Sequence, residues 1–456
     1  MVMGDEANRC VENCARLVER DRQVMAPFSR IHYYPFAVKK GRGAIVEDID
    51  GNEYIDFFSS AAVLNTGHSH PVVVDAIKEQ SEDFVHYTTA YMYNDAQVEL
   101  AERLVQITPG SFKKRVAFGL TGSDANDGAI KLARAYTGRK TIISFLKAYH
   151  GSTYGSMSVS AISLNMRRKI GPMLGDVHHL PYPDCYRCPL GHERGGCSME
   201  CIRLLEDAFE THLPPDDVAG VIMEPIAGDA GIIMPPMEYV KRLHELCQKH
   251  GILFVSEEVQ QGFGRSGKWF GIEHYGIEPD IIVMGKAIAS GLPLSALVAR
   301  SEIMESLAPP AHIFTMGGNP VCCRAGAATV DVIRAESLVE KSRELGKHAM
   351  MRLQELSDRY EIIGDVRGAG LSIAVDLVTD RVSRERNREA AAKISYRCWQ
   401  KGLILTFFAG NVLRVQPPLV ITSEELDRGI DILEKVIEEY LDGRIPDSVL
   451  EESKGW

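Results

Sequence analysis

Between residues 95 and 300 the chain alternates short apolar runs with helical patterns, and this alternation restricts the fold more than any other feature. The runs occupy 115–119, 141–145, 220–223, 252–256 and 280–284, while helical periodicity covers 126–136 and 237–250. Strand–helix alternation of this kind predicts an α/β fold with a doubly wound, mostly parallel mixed sheet. The flanking segments differ. Mixed charges at helical spacing predict an exposed amphipathic helix from Glu6 to about Val24, and residues 43–57 read as a hairpin around Asp50-Gly51. The last 120 or so residues alternate helices at about 337–360 and 386–401 with strand patterns at 371–377 and 413–416, a smaller α+β unit. The expected division is 1–65 as the N-terminal part of the small domain, 66–325 as the large domain, and 326–456 as the C-terminal small domain.

Composition narrows the function classes. With 456 residues, 45% hydrophobic and 25% charged, the chain can bury a large core. Lys+Arg number 51 against 62 Asp+Glu, a net charge of −11. That balance disfavours nucleic acid as a partner. No run approaches the roughly 18 apolar residues of a membrane-spanning helix, and the acidic opening Met1-Val2-Met3-Gly4-Asp5-Glu6 lacks a signal core. Ten cysteines fall far below a disulfide-scaffold density, so a reducing cytoplasm is expected.

In a doubly wound sheet, ligands bind beyond the carboxyl ends of the strands. After 115–118 comes Gly119-Leu120-Thr121-Gly122-Ser123-Asp124, where a helix opens. Gly and Ser at such a turn present N–H groups at a positive helix end, which suits a phosphate; an ordinary capped helix is the alternative. Glu224 follows the run ending at 223. Glu257, Glu258 and Gln260 follow 252–256, and Gly285-Lys286 follows 281–284. Carboxylates and a lysine at the ends of buried strands are costly unless paired or used. A lysine among small residues (Ala287, Ala289, Ser290, Gly291) suits a covalent imine, since desolvation frees its amine; a structural ion pair is the competing role. Lysine and phosphate turn together point to a phosphorylated aldehyde.

Two other patterns carry less. Gly262-Phe263-Gly264-Arg265-Ser266-Gly267 satisfies GxGxxG, but no clean helix opens after it and no acidic residue follows at the dinucleotide distance. Cys185, Cys188, Cys197 and Cys201 lie in a Pro/Gly-rich insertion with His192. Four thiols could hold a tetrahedral zinc, but the spacing is not a standard ribbon pair. Reduced or opportunistically paired thiols, with no metal, are expected.

Longer motifs resemble one family. Residues 43–57, Gly67-His68-Ser69-His70-Pro71, 121–134, 257–267, 279–293 and Gly317-Gly318-Asn319-Pro320 are similar to the class III aminotransferases, fold type I enzymes that use pyridoxal 5'-phosphate. The resemblance covers nearly the whole chain. It implies that Lys286 forms the Schiff base, that Gly122 and Ser123 hold the phosphate, and that Tyr149 stacks on the pyridine ring. It further implies that Gln260 reaches the ring hydroxyl and that Arg414 clamps the substrate α-carboxylate. Thr315 would bind the phosphate of the other subunit, implying a homodimer, or a dimer of dimers, with shared active sites. The residue opposite the pyridine nitrogen is normally Asp; here it is Glu257.

Within this family the chain resembles the isoleucine 2-epimerase group of amino-acid racemases. Tyr149-His150-Gly151-Ser152-Thr153-Tyr154-Gly155-Ser156, residues 163–174, Ala409-Gly410-Asn411-Val412-Leu413-Arg414 and Gly455-Trp456 carry that likeness. The aminotransferases typically place Gln-Gly-Glu after their Glu-Pro pair, where this chain has Ala227-Gly228-Asp229. The implied reaction is racemisation or 2-epimerisation of a neutral amino acid through an external aldimine. Lys286 would remove the Cα proton, and Asp229 is the candidate for the opposite face. A helix cap or loop hydrogen bond is the alternative role for Asp229. The alternative activity is transamination of the 4-aminobutyrate or ornithine type.

Overall fold

A computed structural model describes residues 9–455 of the chain. The acidic opening, Glu6 of the expected first helix, and Trp456 lie outside the described residues. The chain forms two compact units: residues up to His70 with those from Arg343 onward, and residues 71–342. The joints therefore fall at 70/71 and 342/343, not at 65/66 and 325/326. Position 325/326 lies inside helix Pro320–Ala335, which packs on helices Pro71–Asp83 and Asp95–Ile107 and so belongs to the large unit.

The large unit is built on a seven-stranded sheet. Strands Val177–Leu180, Thr141–Phe145, Val218–Met223, Leu253–Glu257 and Ile281–Met284 run parallel in that spatial order. Ser295–Arg300 then pairs antiparallel with Ile281–Met284 on one side and with Lys114–Gly119 on the other. The mixed, mostly parallel sheet is thus present. Two strands escaped the sequence patterns: Val177–Leu180, a half-buried edge, and Ser295–Arg300, whose SALVAR sequence is rich in small residues. The Val218–Met223, Leu253–Glu257 and Ile281–Met284 strands are buried along their whole lengths, as strands covered on both faces must be.

Helix Gly122–Thr137 shows how the sequence fixes its place. Thr121 Oγ1 accepts from Asp124 N–H, and the Asp124 carboxylate takes the N–H groups of Leu120 and Thr121 in return. Gly138, at φ 69°, ends the helix in the left-handed conformation. Ala125, Ala129, Ile130, Leu132 and Ala133 face the sheet and join Ile142, Ala219, Val255, Val283 and Leu297 in one core cluster. Each large aliphatic buried there contributes roughly 1.5–3 kcal/mol.

The small unit holds two sheets. Val38–Arg42, Ile45–Asp48 and Glu53–Asp56 form an antiparallel meander joined in parallel by Leu403–Ile404. Asp48 closes the expected hairpin by accepting from the N–H groups of Asp50 and Asn52, the Asn52 amide and the Tyr54 hydroxyl, with Gly51 at φ 89°. The second sheet orders Ile363–Ala369, Ser372–Asp380, Val412–Val415 and Thr406–Phe408. Helices Arg388–Gln400 and Ser423–Leu441 pack together within this unit. The exposed first helix is Glu12–Val24. Among the described residues no helix is long and apolar enough to cross a membrane.

Asp124 also accepts from Ser295 Oγ at 2.7 Å, so one buried carboxylate ties the helix start to the antiparallel strand. Asp124→Ala leaves three donors, one of them the buried Ser295 hydroxyl, without their acceptor. Unfolding free energy from urea titration is expected to fall by about 2–4 kcal/mol. A loss below about 0.5 kcal/mol would show that this carboxylate does not secure the helix start.

Candidate active site

The carboxyl ends of Val218–Met223, Leu253–Glu257 and Ile281–Met284 surround a cavity of about 150 Å³, which the start of helix Gly122–Thr137 also lines. Strand direction alone brings Glu224, Glu257 and Lys286 into its wall. A larger cleft of about 340 Å³ lies in the small unit, lined in part by Leu17, Asp21, Arg30 and Tyr34. Asp21 and Arg30 are paired with each other there, which leaves that cleft without comparable chemistry.

At the helix end, the capping bonds consume the N–H groups of Leu120, Thr121 and Asp124. Gly122 and Ser123 line the cavity at the positive pole. Ser123 Oγ accepts from Ser152 N–H at 3.0 Å. Gly151 fits behind it only as glycine: its φ is +134°, and a Cβ would lie 2.2 Å from Ser123 Oγ. Lys286 follows Gly285 with φ 47°. That left-handed backbone costs a non-glycine residue some strain.

Burial sets the electrostatics. Glu224 accepts from Tyr149 N–H at 3.0 Å through Oε1 and from Gly228 N–H at 2.8 Å through Oε2. Burial, reinforced by the charge of Asp229, still pushes its carboxyl up to about 7, against those bonds and the pull of Lys286. Glu257 is pushed well above the carboxylate range by burial and by the charge of Glu224; Lys286 and a hydrogen bond with Asn126 act the other way. His150 is buried with both ring nitrogens unpaired, and burial lowers its pKa to about 3, so the ring is neutral. Asp229 is half-buried, and its Oδ1 accepts from Gln260 Nε2 at 3.1 Å.

The structure therefore brings Gly122, Ser123, Tyr149, Glu257, Gln260, Lys286 and Asp229 to one cavity. Thr315 is exposed in the loop before helix Pro320–Ala335 and does not line it. Arg414 belongs to the small unit, on strand Val412–Val415, buried with its guanidinium 4.2 Å from the Phe408 ring centroid. Glu224, His150, Gly151 and Val259 line the wall without a role assigned in the sequence. Glu224 had a signal, since it stands at the carboxyl end of a buried strand as Glu257 does; His150 had only its place beside Tyr149. The GxGxxG segment runs through tight turns with no helix opening, and its Arg265 is fully buried.

The ten cysteines are unpaired. Among the described residues, two groups bring three candidate metal-ligand atoms within 4.8 Å of one another: Cys14–Asp48–Asp50 and His150–Glu224–Glu257. Cys185, Cys188, Cys197 and Cys201 form no such group. Burial and the neighbouring thiols do raise the pKa of Cys185 and Cys201.

The donor set fits pyridoxal phosphate. A helix-end cradle suits a phosphate, a lysine can attack an aldehyde, and a buried carboxylate with a raised pKa suits a protonated ring nitrogen. The two unpaired nitrogens of His150 belong beside such a polar ring.

Glu224 gives this cavity a pH signature. Between an unfolded value of 4.5 and a folded value of about 7, the folded protein holds a proton that the unfolded chain has released. The stability contributed by this group therefore falls as pH rises through that window. A glutamine amide does not titrate, so in cofactor-free protein the melting temperature of Glu224→Gln relative to the parent is expected to shift in the variant's favour from pH 5 to pH 8. A difference that stays flat across that range would contradict the raised pKa.

Comparison with known proteins gives one answer. The chain is 49% identical to a leucine/methionine racemase of Thermococcus litoralis, covering 96% of this chain and 99% of that one. It is 45% identical to an isoleucine 2-epimerase of Lentilactobacillus buchneri, covering 95% and 97%. A Bacillus anthracis aminotransferase of known structure superposes with a TM-score of 0.86 at 32% identity, covering 96% of this chain and 100% of that one. Residues 28–437 match the aminotransferase class-III family. The chain belongs to the class III aminotransferases, α/β enzymes of fold type I that depend on pyridoxal 5'-phosphate.

Proposed function

We propose that this chain is an amino-acid racemase or 2-epimerase acting on neutral amino acids. The relatives named as racemase and epimerase stand at 45–49% identity, above the 38% of a probable 4-aminobutyrate aminotransferase of Bacillus subtilis. One observation in the site carries the same reading: two proton-carrying groups from different elements, Lys286 and Asp229, share one cavity.

Pyridoxal phosphate, when bound, supplies an aldehyde for the substrate amine and an electron sink for the charge left at Cα. The residues do the rest. Gly122 and Ser123 hold the phosphate, joined by the partner subunit's Thr315, which makes the working unit a homodimer. Tyr149 covers one ring face, Gln260 takes the ring hydroxyl, and Glu257 keeps the ring nitrogen protonated. Its side chain is one methylene longer than the usual aspartate. Arg414 clamps the substrate carboxylate in the bidentate manner of a guanidinium. Lys286 takes the Cα proton on one face, and Asp229 delivers one on the other. A transaminase needs only the first of these, because its lysine returns the proton to the cofactor. The ten unpaired cysteines favour a reducing cytoplasm as the place of work.

The deciding experiment incubates the holoenzyme with L-amino acids in D₂O, with and without pyruvate or 2-oxoglutarate. Inversion without an acceptor is expected; conversion that requires an acceptor would make the protein a transaminase. Lys286→Ala is expected to abolish turnover while the protein stays folded by circular dichroism, and substantial residual turnover would remove Lys286 from its role.

Asp229→Asn keeps the size and a hydrogen-bonding side chain but cannot carry the proton. Inversion is expected to fall roughly 10²–10⁴-fold, while exchange of the Cα hydrogen of one enantiomer survives through Lys286. Racemisation near the parent rate would make Asp229 structural. Joint loss of exchange and inversion would assign it to positioning the cofactor or Lys286.

A further inference from the structure

Glu224 has no part in the proton transfers above, yet it is buried and divides its two oxygens between two pieces of the site. Oε1 holds the backbone of Tyr149, which follows strand Thr141–Phe145. Oε2 holds the N–H of Gly228, the residue before Asp229. The backbone carbonyl of Glu224 accepts the Tyr182 hydroxyl at 2.8 Å, so the anchor itself is fixed. Gly228 is pressed against Gln260, where a Cβ would lie 2.3 Å from Oε1, and Gln260 in turn donates to Asp229. The Asp229 carboxylate is thus held from its side chain by Gln260 and, through the N–H of the preceding Gly228, by Glu224.

We infer that Glu224 is a positioning residue that sets the placement of Asp229 relative to Tyr149, and with it the efficiency of proton delivery to the second face of Cα. This rests on the reading of Asp229 as the second proton carrier. Length is the reason a glutamate does this. Its carboxylate spans two N–H donors from different loops with one bond to each oxygen. Glutamine would set an NH₂ against one of those donors, and aspartate, one methylene shorter, cannot reach both in the same pose.

A simple turn cap would predict lost stability alone; a positioning role predicts a changed partition between the two proton transfers. The test uses cofactor-saturated Glu224→Gln and Glu224→Asp in D₂O, with an L-amino acid that the parent inverts. Deuterium entering the recovered L-enantiomer and formation of the D-enantiomer are followed together. The ratio of inversion to exchange is expected to fall on the order of 10- to 10²-fold in both variants, the scale of about 1 Å of misplacement, with KM little changed. The visible circular dichroism of the bound cofactor is expected to change as well, because the backbone of the ring-covering Tyr149 loses its tether. If the glutamine variant does not fold, the aspartate variant, which keeps the charge, carries the same readouts.

An unchanged ratio would overturn the inference. So would exchange and inversion falling in step with the melting temperature, which is the mark of a structural cap. Asp229→Asn run alongside separates the two levels. If it inverts at the parent rate, the reading beneath fails and takes the inference with it. If it loses inversion while both Glu224 variants keep the parent ratio, the inference alone fails.

Discussion

A carboxylate taken out of water must find a cation or several hydrogen-bond donors, and this fold places two of them, Glu224 and Glu257, within 4.8 Å of each other and of a buried histidine. The parallel sheet is the cause: its strands end at a common edge, and the chain places an acid after two of them. Glu224 answers the demand with two backbone N–H groups, but Glu257 has the Asn126 hydrogen bond and the pull of Lys286 against burial and a like charge. A carboxyl in that position binds a proton readily. The protonated nitrogen of an aromatic ring satisfies the same need while leaving Lys286 available for chemistry.

The helix end that lines the cavity depends on a third buried acid. Asp124 accepts from three donors, Leu120 N–H, Thr121 N–H and Ser295 Oγ, and thereby fixes the start of helix Gly122–Thr137 against the sheet. With those donors engaged, the first residues left at the positive pole are Gly122 and Ser123. Close approach enforces the rest: Gly151 admits no side chain beside Ser123, and a Cβ on Gly122 would lie 2.9 Å from Val259. The shape of this helix-end pocket is therefore a product of packing as much as of charge.

The sequence made some of this legible and hid the remainder for identifiable reasons. Fully buried parallel strands are continuous apolar runs, so Val218–Met223 and Leu253–Glu257 stood out, and the acids that follow them could be read as a strand-end series. Val177–Leu180 was masked because VHHL at a sheet edge carries two histidines and no alternation, and Ser295–Arg300 because small residues blur its pattern. Glu224 was visible by position, but its task was not, since the donors it holds are backbone groups that any residue could supply. Thr315 and Arg414 came from family likeness alone. Neither the exposed loop around 315 nor a single arginine in VLRV announces a ligand, although the structure sets the Arg414 guanidinium 4.2 Å from the Phe408 ring centroid.

Inversion and transamination differ in where the second proton goes, so the residue that carries it has to be placed better than the one that takes the first. On the proposed reading, Lys286 follows just beyond the end of strand Ile281–Met284, whose backbone sets its approach to Cα. Asp229, proposed for the other face, lies in the turn after strand Val218–Met223 and is aimed by its neighbours. A short side chain suits that purpose: aspartate has two torsions where glutamate has three, so its carboxylate follows its backbone closely. The cost is that any drift of the 224–229 turn moves the carboxylate with it. Fixing the turn through the Gly228 N–H and fixing Oδ1 through Gln260 are thus complementary, one acting on the backbone and one on the end of the side chain. On this argument a change from glutamate to aspartate at this position does not suffice to turn a transaminase scaffold into a racemase; the aspartate must also be held.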